Sequence, residues 1–181
     1  MQPDKLSSAF SRIKSQRELS GYLQEICTAI IEKILDRNVV EKILDSYGTN
    51  RSLAKIDLVH LTFEYIKIVL EDDVLTDDEK DDINYLKLLF GIHSRDFWVY
   101  NKSYVMQIIH YQLFRIYRYN LITDDEALFK ADFQEMFDLS FDEMNEYYKS
   151  EAIDALQRGA DIKDLDIFFT PTEYFKLKSN F

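Results

Sequence analysis

Leu75-Thr76-Asp77-Asp78-Glu79 returns 47 positions later as Ile122-Thr123-Asp124-Asp125-Glu126. With that offset the chain aligns on itself without a gap for about thirty-five residues, a spacing long enough for a pair of helices. Ile66 then falls on Leu113, Val69 on Ile116, Leu86 on Phe133, Phe90 on Phe137 and Ile92 on Leu139. Each copy reads as an apolar helix, a polar turn, Thr-Asp-Asp-Glu, a second apolar helix, and a break at Phe-x-[Ile/Leu]. In Thr-x-x-Glu the threonine hydroxyl and the glutamate carboxylate satisfy amides that a helix start leaves bare, and acidic residues in the first turn suit the helix dipole. The stretch therefore predicts an internally duplicated, all-α chain.

Working outward, Ser15-x-x-Glu18 has the same capping form and precedes a wide stripe at i, i+3, i+4 spacing: Leu19, Leu23, Ile26, Cys27, Ile30, Ile31 and Ile34. Asp36-Arg37-Asn38 interrupts that stripe, and Gly48 stands where a helix C′ residue belongs. The next helix carries Leu53, Ile56, Val59, Ile66 and Val69. Asn101 to Ser103 reads as a break before a long aromatic helix. Ser140-Phe141-Asp142-Glu143 and Thr170-Pro171-Thr172-Glu173 are two more capping boxes. Helix starts are thus expected at Thr76/Glu79, Thr123/Glu126, Ser140/Glu143 and Thr170/Glu173. The expected architecture is a single domain over 1–181, a bundle of seven or eight helices. Its duplicated halves span about 55–98 and 102–148, with a C-terminal arm and short helix over 160–181.

Composition agrees. The 181 residues are 46 % hydrophobic and 14 % aromatic, with only four Gly and two Pro, which suits helices better than a turn-rich β fold. A formal charge of −11 argues against nucleic acid as a partner, since phosphate recognition rests on Lys and Arg. It suggests solubility, a basic protein partner, or a site for a hard cation. One cysteine, Cys27, fits a reducing compartment, and the sequence shows neither a spanning run nor a signal peptide, so the cytoplasm is expected.

The duplicated unit resembles the TerB-like (tellurite-resistance B) family of helical domains. The residues that carry the likeness are Asp72-Asp73-Val74-Leu75-Thr76-Asp77-Asp78-Glu79 with Phe90-Gly91-Ile92-His93. The second half supplies Tyr119-Asn120-Leu121-Ile122-Thr123-Asp124-Asp125-Glu126 with Phe137-Asp138-Leu139-Ser140. The signature Gly is Asp73 in one half and Asn120 in the other, types that tolerate the left-handed conformation. The signature Asp is Tyr119 in the second half. The likeness covers roughly 55–148. It implies an interaction module of bacterial stress resistance or of phage and toxin defence, with an acidic face able to bind metal.

Three chemistries are open to residues of these types. Asp72, Asp73, Asp77, Asp78 and Glu79 gather carboxylates as a hard cation requires, so Ca²⁺ or another divalent cation is the one cofactor the sequence could accommodate. Helix capping explains the last three without a metal. His60 and Glu64 are too few for zinc, and His110 is expected in the core. No nucleophile motif or Gly-rich phosphate loop is present, so no catalytic residue is assigned and an enzyme is not expected. The stretch 97–119 is mostly core by expectation. Trp98, Tyr100, Tyr111, Arg115, Arg118 and Tyr119 are the candidates for a partner surface. Three functions follow in order: a non-catalytic TerB-like interaction module, an acidic immunity protein that blocks a basic toxin such as a nuclease, and a divalent-cation-binding protein.

Overall fold

A computed structural model describes residues 5–72, 75–118, 134–140, 142–144, 147 and 149–150, with single positions 153, 157 and 176; the side chains of 72 and 112–118 are not among the described ones. The fold is all-α: among the described residues every regular element is helical. The helices are α1 (Lys5–Gln16), α2 (Gly21–Ile31), α3 (Arg37–Ser46), α4 (Lys55–Val69), α5 (Asp77–Phe90) and α6 (Ser94–Arg118), with a single 3-10 turn at Leu70–Asp72. None of the described helices is long and apolar enough to cross a membrane.

The sequence reading treats 1–181 as one domain, whereas the chain divides into two compact units, Met1–Asn101 and Lys102–Phe181. The division falls at a backbone break inside α6, where Asn101 leaves helical geometry (φ −149°, ψ 39°), within the interruption expected at Asn101 to Ser103. The first unit is built around α4, which is apolar on nearly every side and buries Leu58, Val59, Leu61, Phe63, Tyr65, Ile66 and Val69. A helix of that kind must be wrapped. Helices α1, α2 and α5 pack on it, while α3 packs on α2 and α5. Phe10 of α1 stacks on Tyr65 with ring centres 5.8 Å apart. The Tyr65 hydroxyl, at the fully buried end of that stack, donates to Asp82 Oδ2 at 2.7 Å, so the core phenol is not left unsatisfied.

Local chemistry sets the helix ends. Asp36 caps α3 by accepting from the Val39 amide at 2.8 Å. Gly48 (φ 67°) closes α3, with Thr49 N–H donating to Leu44 O in a Schellman arrangement. The expected capping box at Ser15/Glu18 is corrected. α1 runs through Gln16, the Ser15 hydroxyl donates back to Arg12 O at 2.8 Å, and α2 starts after Ser20. The Ser15 hydroxyl is used inside α1 and so caps no following helix, and Arg17 in the linker pairs with Glu64 at 2.8 Å.

Positions 47 apart end their helices alike. After Phe90, Gly91 is left-handed (φ 65°) and Ile92 N–H donates to Lys87 O at 2.8 Å. After Phe137, Asp138 is left-handed (φ 51°) and Leu139 N–H donates to Gln134 O at 3.0 Å. The next helix start is also shared: His93 N–H donates to Asp96 Oδ2 at 2.7 Å, and Ser140 N–H to Glu143 Oε2 at 2.9 Å. Leu58 and Val105, Leu89 and Met136, Phe90 and Phe137, Ile92 and Leu139, and Phe97 and Met144 are buried in pairs. The pairing lapses at Val59/Met106 and Phe63/His110, buried in the first half only.

Candidate interaction surface

The acidic turn before α5 is largely committed to the protein itself. Thr76 caps α5: its hydroxyl oxygen accepts from Glu79 N–H at 3.4 Å, and Glu79 Oε2 accepts from Thr76 N–H at 2.8 Å and from the Thr76 hydroxyl at 2.6 Å. Glu79 is 2 % exposed, and Lys5 of α1 reaches its other oxygen at 3.0 Å. Burial alone would raise the Glu79 pKa, but the Thr76 hydroxyl and amide together with Lys5 hold it below the ordinary value. Arg12 grips Glu71 with two bonds of 2.6 and 2.7 Å, and that grip lowers the carboxyl's pKa. Lys80 does the same for Asp77 at 2.8 Å. Asp82 is taken by Tyr65, and Asp78 lies in the exposed first turn. The Asp72 side chain and Asp73 lie outside the described residues. Among those described, no three metal-binding side chains converge.

Ser140 and Glu143 form the same reciprocal cap, with Glu143 N–H donating to Ser140 Oγ at 3.2 Å. Thr123, Glu126, Thr170 and Glu173 lie outside the described residues.

The aromatic stretch is less buried than expected. Phe97 is core, packed edge-on against Phe63 at 5.9 Å. Trp98 is half-buried with the Arg95 guanidinium 5.7 Å above its ring, and Tyr100, Tyr104 and Tyr111 are exposed. Arg115, Arg118 and Tyr119 have no described side chains. His110 is exposed rather than core: Val105 and Ile109, four apart, take the buried side of the helix, and His110 is turned about 100° from Ile109. His60 and His93 are exposed as well. Cys27 is fully buried, and burial pushes its thiol up to about 12, which keeps it protonated and unreactive.

A second face, in the first unit, was missed by sequence reading. Leu53, on the turn before α4, is 74 % exposed; Ile56, in the first turn of α4, is 50 % exposed. Next in sequence to Ile56, the Asp57 carboxylate accepts the Tyr22 hydroxyl, and Glu25 Oε1 accepts the Tyr47 hydroxyl at 2.7 Å. The Tyr22 and Tyr47 rings meet edge to face at 6.1 Å. Burial and the adjoining Asp57 carboxylate push the Tyr22 phenol up to about 12. Gly21 permits this arrangement, since a Cβ there would stand 2.6 Å from the Tyr47 ring. Periodicity assigns Leu53 and Ile56 to a core stripe. The buried stripe of α4 begins only at Leu58 and Val59, which leaves both residues ahead of it, and no local pattern marks that boundary.

Around the corner, α3, α4 and α5 leave a cleft of about 680 Å³. Leu44 and Phe90, both buried, form its inner wall; Glu41, Asp45, Arg51, Lys55 and Tyr100 stand around it. Arg51 pairs with Glu41 at 2.7 Å. Lys55 pairs with Asp96 at 2.7 Å and also donates to the Gly91 carbonyl. No family model, curated protein or solved structure matches the chain.

Proposed function

We propose that the protein is a non-catalytic interaction module of TerB-like type, an adaptor in a bacterial stress-resistance or defence system, working in the cytoplasm. One observation carries this reading: large apolar side chains, Leu53 and Ile56, stand in water, and Asp57, next in sequence to Ile56, holds the hydroxyl of Tyr22, whose ring meets that of the exposed Tyr47. A centre of exposed aliphatic and aromatic surface with a polar rim is the anatomy of a protein-binding patch. The family likeness is supported by the matching left-handed closures at Gly91 and Asp138, which stand where the family motif breaks its helix. We read the halves as two copies of one helix hairpin.

The test is affinity capture from the native bacterium with the wild-type chain and with a Leu53→Asp/Ile56→Asp variant. The reading expects one partner retained by the wild type and lost by the variant. Equal capture by both would refute it.

The net charge of −11 favours a second reading, an immunity protein that steers onto a basic toxin. The salt dependence of association separates the two. A steered inhibitor loses on-rate by about tenfold or more as salt rises from low to high, whereas an apolar-centred adaptor changes little.

A further inference from the structure

We propose that Tyr22 and Tyr47, with the carboxylates of Asp57 and Glu25, receive an arginine side chain from the partner that covers Leu53 and Ile56. The inference rests on the interaction-module reading and adds the chemistry of what is recognised. The direction of the hydrogen bonds decides what can bind. The Tyr22 hydroxyl gives its hydrogen to Asp57, and the Tyr47 hydroxyl gives its own to Glu25 Oε1 at 2.7 Å. The Ser20 hydroxyl donates in turn to the Tyr22 oxygen and makes no cap bond at the start of α2. What the tyrosines and their carboxylates still present is acceptors: the phenol oxygens and the second oxygen of each carboxylate. A ligand here must donate, and a guanidinium carries five donors and no acceptor.

The charges agree. Among the described residues no lysine or arginine pairs with Asp57 or Glu25. The cations of the surrounding elements are engaged or turned away. Arg17 pairs with Glu64 and Lys55 with Asp96. Arg37 and Arg51 share Glu41, and Arg37 stands at the opposite end of α3, about 15 Å along its axis from Tyr47. Lys42 lies about 140° around α3 from Tyr47, and Lys33 lies beyond the far end of α2. An anion could bind the uncapped first amides of α2, but it would meet both carboxylates. The rings suit the same ligand. Tyr47 is 46 % exposed, and its ring stands at 66° to that of Tyr22, so two aromatic surfaces meet at a corner. Gly21 lets the Tyr47 ring lie against α2 and so fixes that corner. Aromatic faces attract a guanidinium, and arginine is enriched among the residues that dominate protein interfaces.

The experiment is a two-dimensional NMR titration of the full chain with N-acetyl-arginine amide, with its uncharged isostere N-acetyl-citrulline amide, and with inorganic phosphate. The expected result is saturable shifts centred on the backbone amides of Tyr22, Glu25, Tyr47 and Asp57 with the arginine compound. The citrulline compound should bind at least about twofold more weakly, and phosphate should not saturate there. Asp57→Asn and Glu25→Gln are each expected to weaken binding of the arginine compound by about two- to fivefold, as loss of an exposed ion pair does. Tyr47→Leu should weaken it by a similar factor. Asp78→Asn, which removes an exposed carboxylate from α5, should leave it unchanged. No saturable binding, equal affinity for the citrulline compound, saturable phosphate shifts at these amides, or equal weakening by Asp78→Asn would each overturn the proposal. Partner capture lost in Leu53→Asp/Ile56→Asp but intact in Asp57→Asn/Glu25→Gln removes this inference alone. Equal capture by the wild type and Leu53→Asp/Ile56→Asp removes the broader reading.

Discussion

Glu79→Ala is expected to be the costliest single change in the acidic turn, although Glu79 sits among residues that look interchangeable in composition. Its carboxylate accepts from the Thr76 amide and hydroxyl and from Lys5, and the side chain is almost wholly buried. Losing an N-terminal cap costs about 0.5–2 kcal/mol. Hydrogen bonds to a charged group contribute about 1.5–3 kcal/mol. The Lys5 pair adds at most about 1 kcal/mol, because Lys5 itself is exposed. These contributions share one carboxylate, so the expected total is about 2–3 kcal/mol rather than their sum. For a unit of about one hundred residues that corresponds to a fall of roughly 10–20 °C in the melting temperature. Lys5→Ala should cost no more than about 1 kcal/mol.

The pH dependence follows from the sign of the shift. The folded-state pKa of Glu79 lies below its ordinary 4.5, so its contribution is complete above 4.5 and is lost as pH falls through the folded value. Thermal melts of wild type, Glu79→Gln, Glu79→Ala and Lys5→Ala across that range are the assay. The gap between wild type and Glu79→Gln should narrow only on the acid side. A Glu79→Ala loss below about 0.5 kcal/mol, or a Lys5→Ala loss as large, would refute the reasoning.

Three other outcomes are expected. Gly91→Ala, forced into the left-handed region, should lower stability by about 1–2 kcal/mol, whereas Asp138→Gly should raise it, both read from urea midpoints. Cys27 should resist a thiol reagent in the native state and react only on unfolding, in step with loss of helical signal. Millimolar Ca²⁺ should move the melting temperature by less than about 1 °C, since Glu71, Asp77, Glu79 and Asp82 already have protein partners; a rise of several degrees would show coordination.

How legible the fold was depended on the range of the interactions involved. Thr76 with Glu79, Asp36, Gly48 and Gly91 act within four or five residues of themselves, so their residue types announce a helix end before any tertiary contact forms. The interruption at Asn101 was readable for the same reason. Ser15 and Glu18 show the limit. The local pattern was present, but the Ser15 hydroxyl is taken by the Arg12 carbonyl and α1 runs on through Gln16. His110 was assigned to the core because an aromatic-rich helix looks apolar on every side until its buried stripe, Val105 and Ile109, is known. The Leu53/Ile56 face and the cleft were not legible at all. The first depends on which end of α4 its neighbours cover. The second is assembled from α3, the turn before α4, and residues of α4, α5 and α6 that lie far apart in the sequence.

If the two halves are copies of one helix hairpin, backbone chemical shifts of the intact chain in solution will show it most directly. The repeat predicts that Thr123 shows the signature of a helix N-cap with helical shifts beginning at Asp124, as at Thr76 and Asp77, and that Asp138 is left-handed like Gly91. Extended or featureless shifts over 124–130, or a helix starting out of register with Thr123, would contradict it.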